Sequence, residues 1–489
     1  MKKLLAVALA ATLLVACSDS NDSASGIDAT LLGILDAAGH TADPLASRTL
    51  PAITDPKAQL GMKLFYSKGL GGQADSACVS CHHPMLGGGD NLSLSIGVDA
   101  EAPDLLGPGR FHDAFRAAQD NNSPYDGGPT VPRNAPTTFN IGLWDQVLFH
   151  DGRVESLDKT PASNGAGAGG IRTPDSVYGV ADPDSGDNLV AAQSRFPVTS
   201  AEEMRGFIFE AGNSNAAVRI GLEAKFNALA AWASEFTLAY GDASVSYGRI
   251  ADAIGEYERS QVFVNTPWKA YVGGASNSIS ESAKRGAVLF FSSLQDGGAN
   301  CVSCHAGNFF TDESFHVLAM PQIGRGKGNN NGVTATDDFG RFRETADLAD
   351  KYRFRTPTLL NVEVTGPWGH AGGYTTLEAV VRHMLNPATA LANYDFSQLN
   401  PSIQASHMQI NTQFALAQLQ TNRSNNVVGV HRDVSFSEAD VEDLVSFLKT
   451  LTDPCVKDRL CLAPWIPGAA DANPDGLRLN AVNNLGNFF

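Results

Sequence analysis

The pentapeptide Cys78-Val-Ser-Cys81-His82 recurs in the second half of the chain as Cys301-Val-Ser-Cys304-His305. In a Cys-x-x-Cys-His run the two thiols can add across the vinyl groups of one heme, and the adjacent imidazole can coordinate its iron. The alternatives are half of a zinc site and a dithiol redox pair. Zinc needs further ligands nearby, and a redox pair has no use for the trailing histidine. The repeat therefore predicts two covalently attached hemes of the c type.

The N-terminus carries a predicted export signal. Two lysines precede an apolar run at residues 4–16, which is too short to span a bilayer and is typical of a secretory signal peptide. The run ends in Leu-Val-Ala-Cys17, which resembles a bacterial lipoprotein box, so residues 1–17 are a predicted lipoprotein signal peptide and Cys17 a predicted lipid anchor. The alternative is an ordinary signal peptide cut just before Cys17. Ser18 favours sorting to the outer membrane, with the protein facing the periplasm, and no later stretch is apolar enough to span a membrane.

Composition favours a globular electron-transfer enzyme. The net charge of -17 makes nucleic-acid binding improbable on electrostatic grounds and would attract a basic protein partner. A hydrophobic content of 43% over 489 residues is enough for two cores, and the 48 glycines and 24 prolines indicate many loops. Of the seven cysteines, Cys455 and Cys461 lie close together, and an oxidising compartment predicts that they form a disulfide.

The periodicity of apolar residues predicts a mainly α-helical chain with two related heme domains. A helical pattern precedes each heme motif, and residues 286–290 repeat the Gly-x-x-Leu-Phe pattern of residues 61–65. Gly, Pro, Asp and Asn accumulate at residues 99–132 and 160–187, which indicates long loop insertions. The predicted organisation after the signal peptide is a tether at 18–50, an N-terminal cytochrome c domain at 51–268, a C-terminal cytochrome c domain at 269–470 and a tail at 471–489, with the junction near 265–280.

Several short segments follow one another in order along residues 55–455. Besides the heme motifs they are Gly61-Met-Lys-Leu-Phe65, Leu86-Gly-Gly, Pro132-Arg-Asn-Ala-Pro-Thr137, Phe149-His-Asp-Gly-Arg153, Arg285-Gly-Ala-Val-Leu-Phe290, Phe354-Arg-Thr-Pro357 and Gly369-His-Ala-Gly372. In this order they resemble the bacterial di-heme cytochrome c peroxidase family, which includes the MauG-type enzymes that oxidise a protein substrate. The resemblance implies a peroxidatic heme in the N-terminal domain and an electron-transfer heme in the C-terminal domain, with His82 and His305 as the proximal iron ligands.

The resemblance also assigns roles to two further side chains. Glu203 matches the catalytic acid and base over the first heme, although without the resemblance a solvated helix charge would be the preferred interpretation. Met384 matches the sixth ligand of the second iron, and a thioether favours ferrous iron and raises the potential. Without the resemblance Met384 would be a core residue, and His383 is the rival ligand, although the helical pattern points it away from the apolar face.

Two positions depart from the family pattern. Val98 occupies the place of a histidine that blocks the first heme in the peroxidases, which predicts a first iron that is open or water-bound when oxidised. His112 could substitute, but an inserted surface histidine is the simpler interpretation. His150 stands where the family usually has a tryptophan between the hemes, and nothing in the sequence shows that Trp144 compensates.

Asn134, Thr365 and Pro367 match the positions that hold a calcium ion between the domains in the family.

The resulting hypothesis is a peroxidase. Hydrogen peroxide would be reduced to water at the first heme, with electrons from a small c-type cytochrome or cupredoxin arriving through the second. One alternative is a MauG-type oxidase of a protein or organic substrate, against which Met384 argues because those enzymes are expected to carry a tyrosine there. The other alternative is a non-catalytic di-heme electron carrier, which would need both irons to be six-coordinate.

Overall fold

The computed structural model describes residues 22–119, 123–209, 212–327 and 336–489, with side chains from residue 26 onward. Cys17 and the predicted signal peptide lie outside the described residues. Helix accounts for 40% of the structure and strand for 5%, which confirms the mainly α fold. Across the described ranges, no helix has the length and apolar content needed to traverse a bilayer.

The first half of the chain contributes seven helices to the described structure. They are α1 (Asp22–Ala37), α2 (Pro56–Phe65), α3 (Ala114–Gln119), α4 (Leu189–Gln193), α5 (Asn215–Asn227), α6 (Ala230–Tyr240) and α7 (Tyr247–Arg259). The second half contributes α8 (Pro267–Val272), α9 (Glu281–Phe291), α10 (Phe342–Thr345), α11 (Leu377–Leu385), α12 (Pro387–Ala392), α13 (Met408–Ser424), α14 (Glu438–Lys449) and α15 (Arg459–Leu462).

Two small antiparallel sheets connect the loops. The strands are β1 (Val147–Leu148), β2 (Val154–Ser156), β3 (Ile171–Arg172), β4 (Phe315–His316) and β5 (Phe354–Arg355). The first sheet has the order β1-β2-β3 and brings the 160–187 insertion back onto the loop that carries His150. In the second sheet Phe315 pairs with Arg355, so the chain after the second heme motif is tied to the Phe354 segment.

Each heme motif is preceded by a helix that crosses a partner at a glycine. In the first half α2 packs on α7, and a Cβ at Gly61 would lie 1.8 Å from the carbonyl oxygen of Ala253. In the second half α9 packs on α14, and a Cβ at Gly286 would lie 1.9 Å from the carbonyl oxygen of Asp443. The repeated Gly-x-x-Leu-Phe pattern is thus explained, because glycine lets the two backbones touch while Leu and Phe face the core.

Two separate apolar cores surround these helix pairs. The first contains Leu64 and Phe65 of α2 with Ile250 and Tyr257 of α7. The second contains Phe290 of α9 and Phe447 of α14, whose rings lie 5.0 Å apart, and it also includes Trp268 and Tyr271 of α8. The segment expected to join the domains therefore packs with the second core. The predicted disulfide between Cys455 and Cys461 is confirmed.

Both ends of the described chain are more ordered than the sequence suggests. Part of the predicted tether forms α1, whose Leu31 and Leu35 are buried in the second core. The tail at 471–489 crosses back to the first domain, where Leu479 and Ala481 join the first core. Its backbone is hydrogen-bonded there, because the Leu479 N–H donates to the Tyr66 carbonyl at 2.8 Å.

The glycine contact predicts a sharp difference between two Gly→Ala substitutions. Gly61→Ala forces α2 away from α7, and overpacking of this kind costs about 1–3 kcal/mol of unfolding free energy. Gly248→Ala, on the exposed side of α7 where nothing closer than 3.9 Å meets the new methyl group, should be neutral or stabilising by up to about 1 kcal/mol. Chemical denaturation of the heme-loaded protein measures both. Equal effects of the two substitutions would contradict the assigned helix crossing.

Candidate functional site

The two heme-attachment motifs share one local structure. Cys78–Ser80 and Cys301–Ser303 each form a single 3-10 turn. The Nδ1 atom of His82 is hydrogen-bonded to the Gly88 carbonyl at 3.1 Å, and that of His305 to the Phe310 carbonyl at 3.0 Å. A backbone acceptor at Nδ1 selects the tautomer that leaves the Nε2 lone pair for a metal. Burial lowers the pKa of both rings, so both are neutral at pH 7.

The thiols complete a donor set that fits two hemes. The four motif cysteines are partly buried and none of them is in a disulfide. Cys304 also lies with Asp312 and His316 in a group whose candidate metal-ligand atoms are within 4.8 Å of one another. Of the residues that the structure describes, this is the sole group of three such donors. Because heme attachment would consume the Cys304 thiol, the group belongs to the second heme site.

Glu203 lies in a tight turn coupled to the first motif. The π-helical turn Ala201–Arg205 carries it, and such turns are frequent at functional sites. Burial raises the pKa of Glu203, and the charges of Arg153 and Lys327 oppose this rise. Burial also raises the pKa of the Cys78 and Cys81 thiols, and the Glu203 charge adds to the effect. The carboxylate is therefore an electrostatic neighbour of the first heme motif.

The loop before Val98 is pressed against the Glu203 turn. A Cβ at Gly97 would lie 2.3 Å from the carbonyl oxygens of Glu202 and Glu203, so only glycine fits there. The Val98 N–H donates to the Glu202 carbonyl at 3.2 Å, and its side chain is fully buried. The position that holds a blocking histidine in the peroxidases thus presents an alkyl group next to the Glu203 turn.

Arg110 fixes this loop from the first insertion. The side chain is 2% exposed, and it donates to the carbonyls of Ile96 at 2.8 Å and Gly97 at 3.0 Å. It also donates to two carbonyls of its own segment, Pro103 and Leu105. The insertion expected at the surface is therefore anchored by a buried arginine. His112, two residues on, is partly buried against the Tyr125 ring at 5.2 Å.

Helix α11 carries both candidate sixth ligands of the second iron, Met384 and His383. Met384 is partly buried and packs against the second core, as Cys301 does. His383 was expected to point away from the apolar face, but it is fully buried. Its Nδ1 accepts a hydrogen bond from the Tyr374 hydroxyl at 2.8 Å, and its Nε2 donates to the Leu318 carbonyl at 2.8 Å. Both ring nitrogens of His383 are therefore engaged within the protein, and ligation of the second iron by Met384 stays a prediction.

A buried ionic junction joins the two halves between these sites. The Arg133 guanidinium contacts the Asp151 carboxylate at 2.5 Å and the Asp338 carboxylate at 2.6 and 2.8 Å. All three residues are at most 5% exposed. Burial raises the pKa of both aspartates, but the charge and hydrogen bonds of Arg133, together with other nearby groups, hold it below the usual range. The sequence alone gives Arg133 no role, because its partners Asp151 and Asp338 are distant from it in the chain.

His150 lies beside this junction. Its Nε2–H donates to the Asn134 carbonyl at 3.1 Å, and the Asn134 N–H donates to the His370 carbonyl at 2.9 Å. Burial, with the charges of Arg133 and Arg355, lowers the pKa of His150 to about 3. His150 is therefore a neutral imidazole at physiological pH. Trp144 does not take its place, since the Arg355 guanidinium lies 3.5 Å from the centre of the indole ring, where a positive charge opposes oxidation.

The predicted calcium ligands lie in the same region. The Asn134 side-chain amide donates to the carbonyls of Leu92 at 2.9 Å and Ser93 at 3.2 Å. Thr365 and Pro367 flank Gly366 in the loop after Val364, whose carbonyl touches Gly87 of the first half. The oxygen-rich setting suits a hard cation, and calcium binding stays a prediction.

The sequence is similar to those of several known proteins. Residues 55–277 match the model of the di-haem cytochrome c peroxidase family. The chain is 26% identical over 338 residues to methylamine utilization protein MauG of Methylophilus methylotrophus, covering 69% of this chain and 74% of that protein. It is 26% identical over 329 residues to cytochrome c peroxidase Ccp of Escherichia coli K12, covering 67% of this chain and 53% of that protein. The family-model match and these relatives confirm that the chain resembles the di-haem cytochrome c peroxidases and MauG.

Solved structures show the same fold. A MauG-like protein associated with microbial copper homeostasis superposes with a TM-score of 0.54 at 20% identity, covering 86% of this chain and 98% of that one. The diheme peroxidase BthA from Burkholderia thailandensis gives a TM-score of 0.52 at 21% identity, with 88% and 92% covered. The resemblance supports an oxidoreductase with two c-type hemes, and the members of the family are periplasmic. The chain is about equally identical in sequence to the peroxidases and to MauG, so the comparisons do not decide between the two activities.

The ionic junction yields a pH-dependent prediction. Arg133→Leu leaves the buried Asp338 carboxylate without an ion pair and Asp151 with Arg153 alone, and breaking a buried pair costs about 3–5 kcal/mol of unfolding free energy at pH 7. Because the folded pKa of Asp151 and Asp338 is depressed, the wild type has this stabilisation in full above about pH 4 and loses it as the pH falls further. The gap between variant and wild type should therefore narrow in acid.

Denaturant titrations of the holoprotein at pH 7 and at about pH 2.5, below the ordinary pKa of an aspartate, measure this gap. Arg249→Leu, which breaks the exposed pair with Asp242, is the matched control and should change stability by no more than about 1 kcal/mol. A constant gap between the two pH values would show that the junction is not the source of the stabilisation.

Proposed function

We propose that this chain is a cytochrome c peroxidase that reduces hydrogen peroxide to two waters at the first heme, using two electrons and two protons. The electrons enter through the second heme. The observation that carries the proposal is the pairing of Glu203 with Val98: a carboxylate with a raised pKa stands beside the first motif, and the residue at the blocking position cannot bind iron. A non-catalytic carrier would need that first iron closed.

Glu203 handles the proton in this proposal. When bound, the first heme supplies the iron that takes up peroxide and delivers electrons to it. The Glu203 carboxylate accepts a proton from one peroxide oxygen and returns it to the other as the oxygen–oxygen bond breaks. Arg153 and Lys327 oppose the rise in the Glu203 pKa, which keeps the carboxylate available as a base. The close approach of Gly97 holds the backbone of the Glu203 turn against the loop that ends in Val98.

The second site serves as the electron supply. Cys301, Cys304 and His305 would hold its heme, and Met384 would complete the iron coordination, since His383 is committed to Tyr374 and Leu318. Tyr374 is likewise engaged through its hydroxyl, which argues against the tyrosine ligand expected of a MauG-type oxidase. His150, with the chain of hydrogen bonds through Asn134 to His370, would lie on the route between the hemes.

The cellular setting completes the proposal. Cys17 would anchor the chain by lipid to the outer membrane, facing the periplasm. The net charge of -17 would attract a basic electron donor, either a small c-type cytochrome or a cupredoxin. A calcium ion held by Asn134, Thr365 and Pro367 would brace the junction between the domains.

The catalytic role is tested by two neighbouring substitutions. Glu203→Gln removes the base and should lower steady-state peroxide turnover by about 100-fold or more. Glu202→Gln changes the adjacent carboxylate, which bonds to the Ser200 hydroxyl at 3.2 Å, and should leave turnover within a few-fold of wild type. Because the Glu203 base must be ionised and its pKa is raised, wild-type turnover should fall as the pH drops toward that pKa. Equal turnover for both variants would remove Glu203 from the mechanism.

The ligand assignment on α11 is tested in the same way. Met384→Ala should abolish the low-spin electron paramagnetic resonance signal of the second heme in its methionine-ligated form and lower its reduction potential. His383→Gln should keep that signal and cost stability, because it disturbs two buried hydrogen bonds. A signal lost in the His383 variant and retained in the Met384 variant would reverse the assignment.

A further inference from the structure

A cavity of about 230 Å³ lies between the C-terminal tail and the first domain. Tyr66, directly after α2, lines it from the first domain, and Arg459 of α15 and Arg478 of the tail supply two cations. The rest of the wall is largely apolar and includes Ile466, Leu479, Ala481, Phe488 and Phe489. The described lining contains neither a motif cysteine nor His82 nor Glu203, so the cavity is distinct from the peroxide site.

The two arginines bring positive charge without a carboxylate partner. Arg478 uses its N–H groups on the carbonyls of Gly468 and Ala469 and on the Asn480 side chain. Arg459 forms no ion pair with any carboxylate in the described part of the chain, and its charge acts on Tyr66 and His83. Because most buried or half-buried cations in proteins are paired, two unpaired guanidinium groups at one cavity of an acidic chain call for an anion.

The Tyr66 side chain supplies a hydrogen-bond donor at the same place. The residue is 2% exposed, and its hydroxyl makes no hydrogen bond of acceptable geometry. The neighbouring Tyr257 hydroxyl already donates its proton to the Trp465 carbonyl at 2.8 Å. The Tyr66 hydroxyl thus has only the Tyr257 hydroxyl as a neighbouring partner, and an anionic oxygen in the cavity would be a stronger, charge-assisted acceptor.

We propose that this cavity is a binding site for a small organic carboxylate. The carboxylate group would accept hydrogen bonds from Arg459 and the Tyr66 hydroxyl, with Arg478 adding charge. The apolar body would pack against Phe488, Phe489 and Ile466. The volume lies below the range of about 300–1,000 Å³ for drug-sized ligands, which limits the ligand to roughly the size of benzoate.

Binding there would also fasten the tail to the first domain. Tyr66 belongs to the first domain and Arg478 to the tail, so one ligand would bridge them. The Phe489 ring lies 4.8 Å from the His83 ring, and His83 directly follows the iron ligand His82. The ligand should therefore raise the thermal stability of the tail and its surroundings.

Calorimetric titration of the full-length holoprotein with benzoate tests the site. We expect saturable binding at one site, and no comparable binding of benzamide, which has the same shape without the charge. Arg459→Gln should weaken benzoate binding by at least about 10-fold, since charge-assisted hydrogen bonds are the strong ones. Tyr66→Phe, which removes one oxygen and retains the packing, should weaken it several-fold. Arg432→Gln changes an exposed arginine outside the cavity and should have no effect.

Three results would overturn the proposal. Benzoate could fail to bind saturably, benzamide could bind as tightly as benzoate, or Arg459→Gln could bind benzoate like wild type. Titration with inorganic phosphate separates the roles of the two walls: phosphate binding as tight as that of benzoate would show that the apolar wall contributes nothing and would refute an organic ligand. The heme absorption spectrum of each variant verifies its fold.

Discussion

The buried guanidinium of Arg133 is the constraint that relates the two heme sites to each other. It binds Asp151 from the first half and Asp338 from the second, and none of the three charges can reach bulk water. Buried charges must be paired closely or the fold pays heavily in desolvation. Asn134 and His150 directly adjoin Arg133 and Asp151 in the chain, and Asn134 is hydrogen-bonded both to His150 and, in the second half, to the His370 carbonyl.

The two identical heme motifs lie in different surroundings. Both histidines point Nδ1 at a backbone carbonyl, and both preceding helices cross their partners at a glycine. The difference arises on the opposite side. At the first motif a glycine contact and the Arg110 anchor press a loop ending in Val98 against the Glu203 turn. Near the second motif, helix α11 carries Met384 and His383, and two hydrogen bonds occupy both ring nitrogens of His383.

The sequence predicts local features well and long-range contacts poorly. The heme motifs, the Cys455–Cys461 bridge and the helices before each motif follow from short-range patterns, and the structure contains them. Arg110 and Arg133 could not be assigned, because a buried arginine looks like a surface arginine until its acceptors are known. The burial of His383 was missed for the same reason: helical periodicity describes one apolar face and not a hydrogen bond to Leu318 far away in the chain. The packing of α1 and of the tail likewise depends on surfaces made by distant segments.

The central claim is that the first iron is open while the second is closed in the oxidised protein. The most direct measurement is a stopped-flow reaction of fully oxidised holoprotein with stoichiometric hydrogen peroxide, without any prior reduction. The account predicts an immediate absorbance change of the first heme at a rate proportional to peroxide concentration. If the oxidised protein stays unchanged and reacts only after one electron has been added, the first iron is blocked at rest and the assignment built on Val98 is wrong.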